Sequence, residues 1–258
     1  MLEENAHPYR VFGCEGCDLA YVDPPLPRAA LRRRYGAEYY AAWVTAQPSR
    51  RERMWAERLK IVERLVPTGR LLDVGCGDGS FLSLARRRGW EVAGTEISPW
   101  AAEHAGRRLG QPVFRGELRD AGYPPEHFDA VTLWHVLEHV TAPLPLLEEV
   151  RRILKTGGLL FVAVPNRDDR VMQAVYRLMK RRRPHLFSPR DRELHLFHFS
   201  VPSLTRMLDS AGFTVAHVGP DRGIVERSKR LVNTAAIVLS RLFHRPWYNA
   251  ILTISRGA

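Results

Sequence analysis

The chain has 258 residues, 45% of them hydrophobic and 26% charged, with only three cysteines, so wholesale disorder and a disulfide-stapled scaffold are both excluded. That length predicts one domain with embellishments, and the sparse cysteines point to a reducing, cytoplasmic setting. The net charge of +11 is carried by 35 arginines and four lysines, and the stretch from Arg167 to Arg192 alone holds nine basic and three acidic groups. No segment approaches the run of about 18 apolar residues that spans a bilayer. The first residues also lack the basic-then-apolar order of a secretory signal.

Residues 1–27 form a mixed segment that carries Cys14-x-x-Cys17 and ends in DPPLPR. Residues 28–66 read as a helical extension, because Trp55, Leu59, Val62 and Val66 recur near the 3.6-residue period and Pro67-Thr68-Gly69 stops the run. From residue 67 to 258 the rhythm changes. RLLDVGCGDG predicts a buried strand entering a tight turn, and SFLSLARRRG a helix ended by Gly89. WEVAGTEIS is a second strand, followed by the helix PWAAEHAGRRLG with Pro99 in its first turn. QPVFRGEL and FDAVTLWHV are strands three and four. APLPLLEEVRRILKTGG is a helix ended by Gly157 and Gly158, and GLLFVAVPN is strand five. This alternation predicts a parallel sheet covered on both faces. Residues 167–199, basic and rich in proline, histidine and phenylalanine, break the pattern and read as a lid insertion. SVPSLTRMLDSAG restores a helix, FTVAHVG is a sixth strand, residues 227–243 are an amphipathic helix, and WYNAILTIS is a last strand.

The most informative stretch is Asp73-x-Gly75-Cys76-Gly77-x-Gly79, a strand running into a glycine turn and then a helix. The glycines allow positive φ and close approach of a ligand, and the N–H groups at the next helix start favour an anion. Glu96 ends the second strand, 21 residues after Gly75, where a carboxylate accepts hydrogen bonds from both hydroxyls of a ribose. The expected ligand is a nucleoside with a charged or polar tail. A dinucleotide is the rival, but its fingerprint needs glycine at position 80, where this chain has Ser80.

These residues, with FDAVTLWHVLEHV (128–140), LEEVRRILKTGGLLFVAVPN (147–166) and HLFHFSVPSLTRMLDSAGF (195–213), resemble class I S-adenosylmethionine-dependent methyltransferases of the small-molecule branch, methyltransferase type 11/23-like. The resemblance implies an α/β, Rossmann-like seven-stranded and mostly parallel sheet with helices on both faces and an antiparallel last strand. It implies S-adenosylmethionine as cofactor. Asp73, with the turn at Gly75, Cys76 and Gly77, would hold the cofactor's amino-acid end. Glu96 would take the ribose and Ile97 the adenine, with Glu117 and Leu118 at the adenine contacts. Aspartate is commoner than Glu117 at its position. Trp134 and His135 would line the cavity shared by cofactor and acceptor.

Methyl transfer is an in-line displacement, so alignment supplies much of the acceleration, and a hydroxyl acceptor also needs a base. The candidate catalytic residues are His135, His139 and His195. His135, Glu138 and His139 share a face if helical. In the quinone-biosynthesis O-methyltransferases that this stretch resembles, Glu stands at position 135 and the trio can hold a divalent metal. Here orientation of the loop by hydrogen bonds is the expected role, with no metal. Nucleic-acid amino-methyltransferases carry an Asn/Asp-Pro-Pro-aromatic motif where this chain has Leu133-Trp134-His135-Val136, which argues against base amines as acceptors.

Cys14-x-x-Cys17 is half of a zinc ribbon at most, and a vestigial knuckle is the expected reading. Lys180-Arg181-Arg182-Arg183 reads as a solvated face or part of a lid, with peripheral membrane contact as a further option. The apolar helix at 231–243 is expected to bury against the sheet. The expected function is methylation of a small-molecule acceptor, most simply at a hydroxyl. The alternatives are an RNA or protein methyltransferase, or a catalytically silent fold that binds the cofactor or a partner.

Overall fold

Leu71 and Leu72 are neighbours in sequence, yet they enter separate cores on opposite faces of one sheet. The computed structural model describes residues 1–40, 48–181, 184–223 and 226–257, so the middle of the predicted 28–66 extension and Arg182-Arg183 lie outside the described residues. In chain order the strands are β1 (Leu2–Ala6), β2 (Tyr9–Gly13), β3 (Ala20–Asp23), β4 (Arg70–Val74), β5 (Glu91–Glu96), β6 (Phe114–Arg115), β7 (Phe128–Trp134), β8 (Leu154–Pro165), β9 (Phe197–His198), β10 (Phe213–Pro220) and β11 (Ala250–Gly257). The helices are α1 (Arg28–Arg34), α2 (Pro48–Glu63), α3 (Ser80–Arg87), α4 (Pro99–Leu109), α5 (Pro143–Ile153), α6 (Arg170–Lys180), α7 (Val201–Ser210) and α8 (Arg227–Phe243).

Seven strands form the central sheet in the order β10-β11-β8-β7-β4-β5-β6. The pairings β4–β5, β4–β7, β5–β6 and β7–β8 are parallel, and β11 runs antiparallel to both β8 and β10. This is the expected seven-stranded sheet with its antiparallel last strand. Leu71, Ala130, Phe161 and Ala163 face a core filled by α2, α3 and α4; Leu72, Val131, Val162 and Val164 face one filled by α5 and α7. Burial on both faces explains why these strands read as unbroken apolar runs. Strand order reverses at β4, which opens a crevice at the carboxyl ends of β4, β5 and β7.

Five local expectations change. The helix expected to end at Gly157 stops at Ile153, and β8 begins at Leu154, which pairs with Phe128. Gly157, at φ +79°, bends the strand without ending it. The third strand shrinks to Phe114–Arg115, and the last begins at Ala250 rather than Trp247. The 167–199 insertion contains a regular helix, α6, started by Asp169, whose carboxylate accepts from Met172 N at 2.9 Å. The helix at 227–243 forms as expected but buries only part of its surface. Asn233 and Ala236 are buried, while Leu231, Val238, Leu242 and Phe243 are exposed.

The N-terminal segment and the insertion, far apart in sequence, are one structural unit. Strands β1, β2 and β3 form an antiparallel meander whose outer edge pairs with β9, placing Ala20 opposite His198 and Tyr21 opposite Phe197. Val11, Ala20, Val22 and Leu31 share a small core with Phe187, Leu194 and Leu196. Backbone bonds from Leu196 N to Glu138 O (2.7 Å) and from Val22 N to Leu196 O (2.9 Å) fasten this unit over the end of β7.

Candidate active site

Every residue named from the sequence as a cofactor or catalytic candidate lines a single cavity of about 960 Å³ at the carboxyl ends of β4, β5 and β7. At one end is the glycine turn. Gly75, Gly77 and Gly79 all have φ between 56° and 71°, a region that disfavours any side chain. A Cβ at Gly75 would meet Val136 Cγ2 at 2.7 Å, and one at Gly79 would meet Ala105 Cβ at 2.9 Å. The turn is therefore closed to larger residues by both conformation and space.

Glu96 is buried at the end of β5 and binds the turn directly. Its carboxylate accepts from Gly77 N at 3.0 Å, Ser98 N at 2.8 Å and the Tyr40 hydroxyl at 3.2 Å. Burial raises its pKa, and these donors pull it back toward the charged form. A carboxylate has room for about four donors, so a ribose presenting two must share with or displace Tyr40. Asp73 is buried beside Thr132, whose hydroxyl donates to it at 2.7 Å. Burial lifts its pKa to about 7, so a cationic ammonium placed there would gain by ionising it. Cys76, Ile97, Glu117, Leu118 and Trp134 complete the walls, with Cys76 and Leu118 buried and Glu117 at the rim of the short helix 118–121. A buried acceptor carboxylate, a glycine turn that tolerates no Cβ at Gly75 or Gly79, and a second buried acid one strand away match the donor and acceptor set of adenosine with an amino-acid tail.

The acceptor end is a chain of side chains in which imidazoles alternate with carboxylates. The Tyr35 hydroxyl lies 2.8 Å from His139 Nδ1, and His139 Nε2 lies 3.8 Å from Glu138 Oε1. The same oxygen is 3.3 Å from His135 Nδ1, His135 Nε2 is 3.5 Å from Asp221 Oδ2, and Asp221 pairs with Arg58 at 2.5 Å. His135, Glu138 and His139 do not share a helix face as expected. They occupy a turn in which His139 N bonds Val136 O and His135 adopts φ +58°. Burial works to lower the His135 pKa, but hydrogen bonds to Asp221 and Glu138 outweigh it and lift it to about 9. Glu138, despite burial, is held at about 2 by His139 and His135. The raised pKa favours the protonated form of His135 at neutral pH. His195 is the opposite case. Burial, reinforced by the His139 charge, lowers its pKa and keeps it neutral. Its ring centroid is 4.9 Å from that of His139, and ligand atoms of Glu138, His139 and His195 lie within 4.8 Å of one another. Each of the three offers one ligand atom, so the group could hold a metal ion.

Several residues here carried no sequence signal. Arg58, spaced like its apolar neighbours on α2, is buried between Trp55 and Trp134, with its guanidinium 5.1 and 4.8 Å from the two rings. Arg51, two helical turns earlier, pairs with Asp78 of the glycine turn at 3.1 Å. Asp221 and Tyr40 come from a loop and a short helical stretch, 37–40, where function leaves no pattern. Removing Asp221 would leave the Arg58 charge buried without a counter-ion. Asp221→Ala is expected to cost about 3–5 kcal/mol, a fall in Tm of roughly 10 °C. A calorimetric Tm within about 2 °C of the parent would disprove that role for the pair. Cys14 and Cys17 are free and half-buried in the loop between β2 and β3, and among the described residues no third ligand gathers round them.

A doubly wound sheet with a nucleoside-sized cradle at its switch point, walled in part by Tyr35 and by His195 of the insertion, has the architecture of a class I cofactor-dependent transferase. A family model for the methyltransferase domain matches residues 47–218, about two thirds of the sequence, and the chain belongs to that family, whose cofactor is S-adenosylmethionine. The ubiquinone biosynthesis O-methyltransferase of Xanthomonas campestris pv. campestris is 34% identical over 108 residues, 40% of this chain and 45% of that protein. A Mycolicibacterium smegmatis protein named a probable S-adenosylmethionine-dependent methyltransferase is 30% identical over 173 residues, 64% of this chain and 61% of its own length. Each alignment thus spans less than two thirds of the relative. A SAM-dependent methyltransferase of Thermotoga maritima shares the fold with a TM-score of 0.57 at 21% identity, covering 89% of this chain and 99% of that one. No helix among the described residues is long and apolar enough to cross a membrane.

Proposed function

We propose that the chain methylates a hydroxyl of a small-molecule acceptor, with His195 as general base. The place of His195 in the cavity wall, its ring 4.9 Å from that of His139 and its pKa lowered by burial, is the observation that carries this reading. S-adenosylmethionine supplies a methyl group already activated on a sulfonium. On this reading Asp73 binds its ammonium and Glu96 its ribose, while Gly75, Cys76 and Gly77 shape the turn and Ile97, Glu117, Leu118 and Trp134 wall the base and the sulfonium. His195 would take the proton from the acceptor oxygen as the oxygen–carbon bond forms and the carbon–sulfur bond breaks, leaving S-adenosylhomocysteine. His139, bonded to Tyr35 and to Leu194 O, holds Glu138, and Glu138 holds His135. The acceptor side of the cavity includes Val140, Leu146 and Met172, which suits a largely apolar molecule with one polar handle.

A panel of phenols, sugars and amines followed by S-adenosylhomocysteine release tests the proposal. Turnover confined to hydroxyl acceptors is the expected outcome, and turnover only on amines or on RNA would overturn it. Dialysis against EDTA is expected to leave the rate unchanged. A loss restored by a divalent cation would place that cation on Glu138, His139 and His195 and make His195 a ligand instead of a base.

A further inference from the structure

Helices α6 and α8 pack against each other beside the cavity. Their inner sides belong to the site, for Met172 of α6 and Lys229 of α8 line it. Their outer sides are unlike the rest of the surface. On α8, Leu231, Val238 and Leu242 recur at helical spacing on the solvent side, Leu231 being 75% and Leu242 68% exposed, with exposed Phe243 beside them. On α6, Leu178 is 84% exposed and Met179 follows it. From Arg170 to Arg181 and from Arg227 to Arg245 the sequence holds nine basic residues and no acidic one. Lys229 and Arg230 pair with Glu226 and Glu57, but exposed Arg177, Lys180, Arg181, Arg241 and Arg245 have no ion-pair partner among the described residues.

From this combination we infer that the α6–α8 face docks on an anionic lipid bilayer. Leucine and phenylalanine side chains enter the acyl boundary, and the flanking arginines and lysines meet the headgroup phosphates. A second copy of the chain is a poor occupant, because two such faces would bring cation against cation. A nucleic acid would match the charge but leave Leu231, Leu242 and Phe243 in water. Docking in this orientation sets a wall of the cavity against the membrane, so an acceptor dissolved in the bilayer reaches the site without crossing bulk water. The inference goes beyond the methyl-transfer proposal and stands without it.

Flotation of the full chain with vesicles tests it. Vesicles of phosphatidylcholine containing about one third phosphatidylglycerol are expected to bind at least about tenfold more protein than phosphatidylcholine alone. The double variant Leu231→Glu/Leu242→Glu is expected to lose about tenfold in vesicle binding, with its S-adenosylhomocysteine affinity and Tm unchanged. Because both side chains are exposed, the variant should fold; Leu242→Ser is the milder second variant and should show an intermediate loss. No binding by the parent chain, or vesicle binding that survives both variants, overturns the inference. So does a concentration-dependent dimer that the double variant abolishes while vesicles bind neither protein.

Discussion

Glu96→Ala is expected to weaken S-adenosylhomocysteine binding by about 100-fold. The carboxylate would accept from both ribose hydroxyls, and hydrogen bonds to a charged group contribute about 1.5–3 kcal/mol each, so the loss should reach about 3 kcal/mol. Part of the effect passes through the protein itself, since Glu96 also receives Gly77 N and Ser98 N and so fixes the glycine turn. Glu96→Gln separates the two contributions. It keeps one acceptor oxygen and the side-chain volume, and it should fall between the parent and Glu96→Ala. Titration calorimetry reads all three, and an alanine variant within threefold of the parent would remove Glu96 from the cofactor site.

The second large effect concerns the proton. His195→Ala is expected to lower turnover by about 10²–10⁴-fold while cofactor affinity stays within about threefold, because the side chain acts on the acceptor. The pH profile gives an independent reading. The His195 pKa lies below the ordinary histidine value of about 6.5, so the neutral base survives at neutral pH and kcat/KM falls only as pH drops through that lowered value. Were His135 the base, the acid limb would stand near its pKa of about 9 and activity would still be climbing above neutrality. A limb near 9, or an active His195→Ala enzyme, sinks the assignment.

The geometry of the candidate cofactor site was legible because its requirements are local. Asp73 and Glu96 lie on two successive strands, three alternating glycines form the turn after the first, and a parallel sheet can bring the strand ends together in only one way. The acceptor half was legible in residue type but not in role. His135, His139 and His195 stood out as histidines, yet the protonation of His135 depends on Asp221 and Glu138, and Asp221 lies 86 residues beyond it. Two carboxylates on one imidazole reverse its chemistry, and no spacing in the sequence announces the second.

Periodicity along the chain determined the sheet, its two cores and the nucleoside cradle, because burial on both faces and a turn that excludes Cβ atoms restrict which residues stand at those positions. Tertiary pairing decided the rest. The N-terminal meander meets β9 across more than 170 residues, fastening His195 over the cavity. The partners of Arg58, Glu96 and His135 were likewise chosen by contact across elements, where charge and hydrogen bonding depend on distance in space and leave no trace in the order of residues.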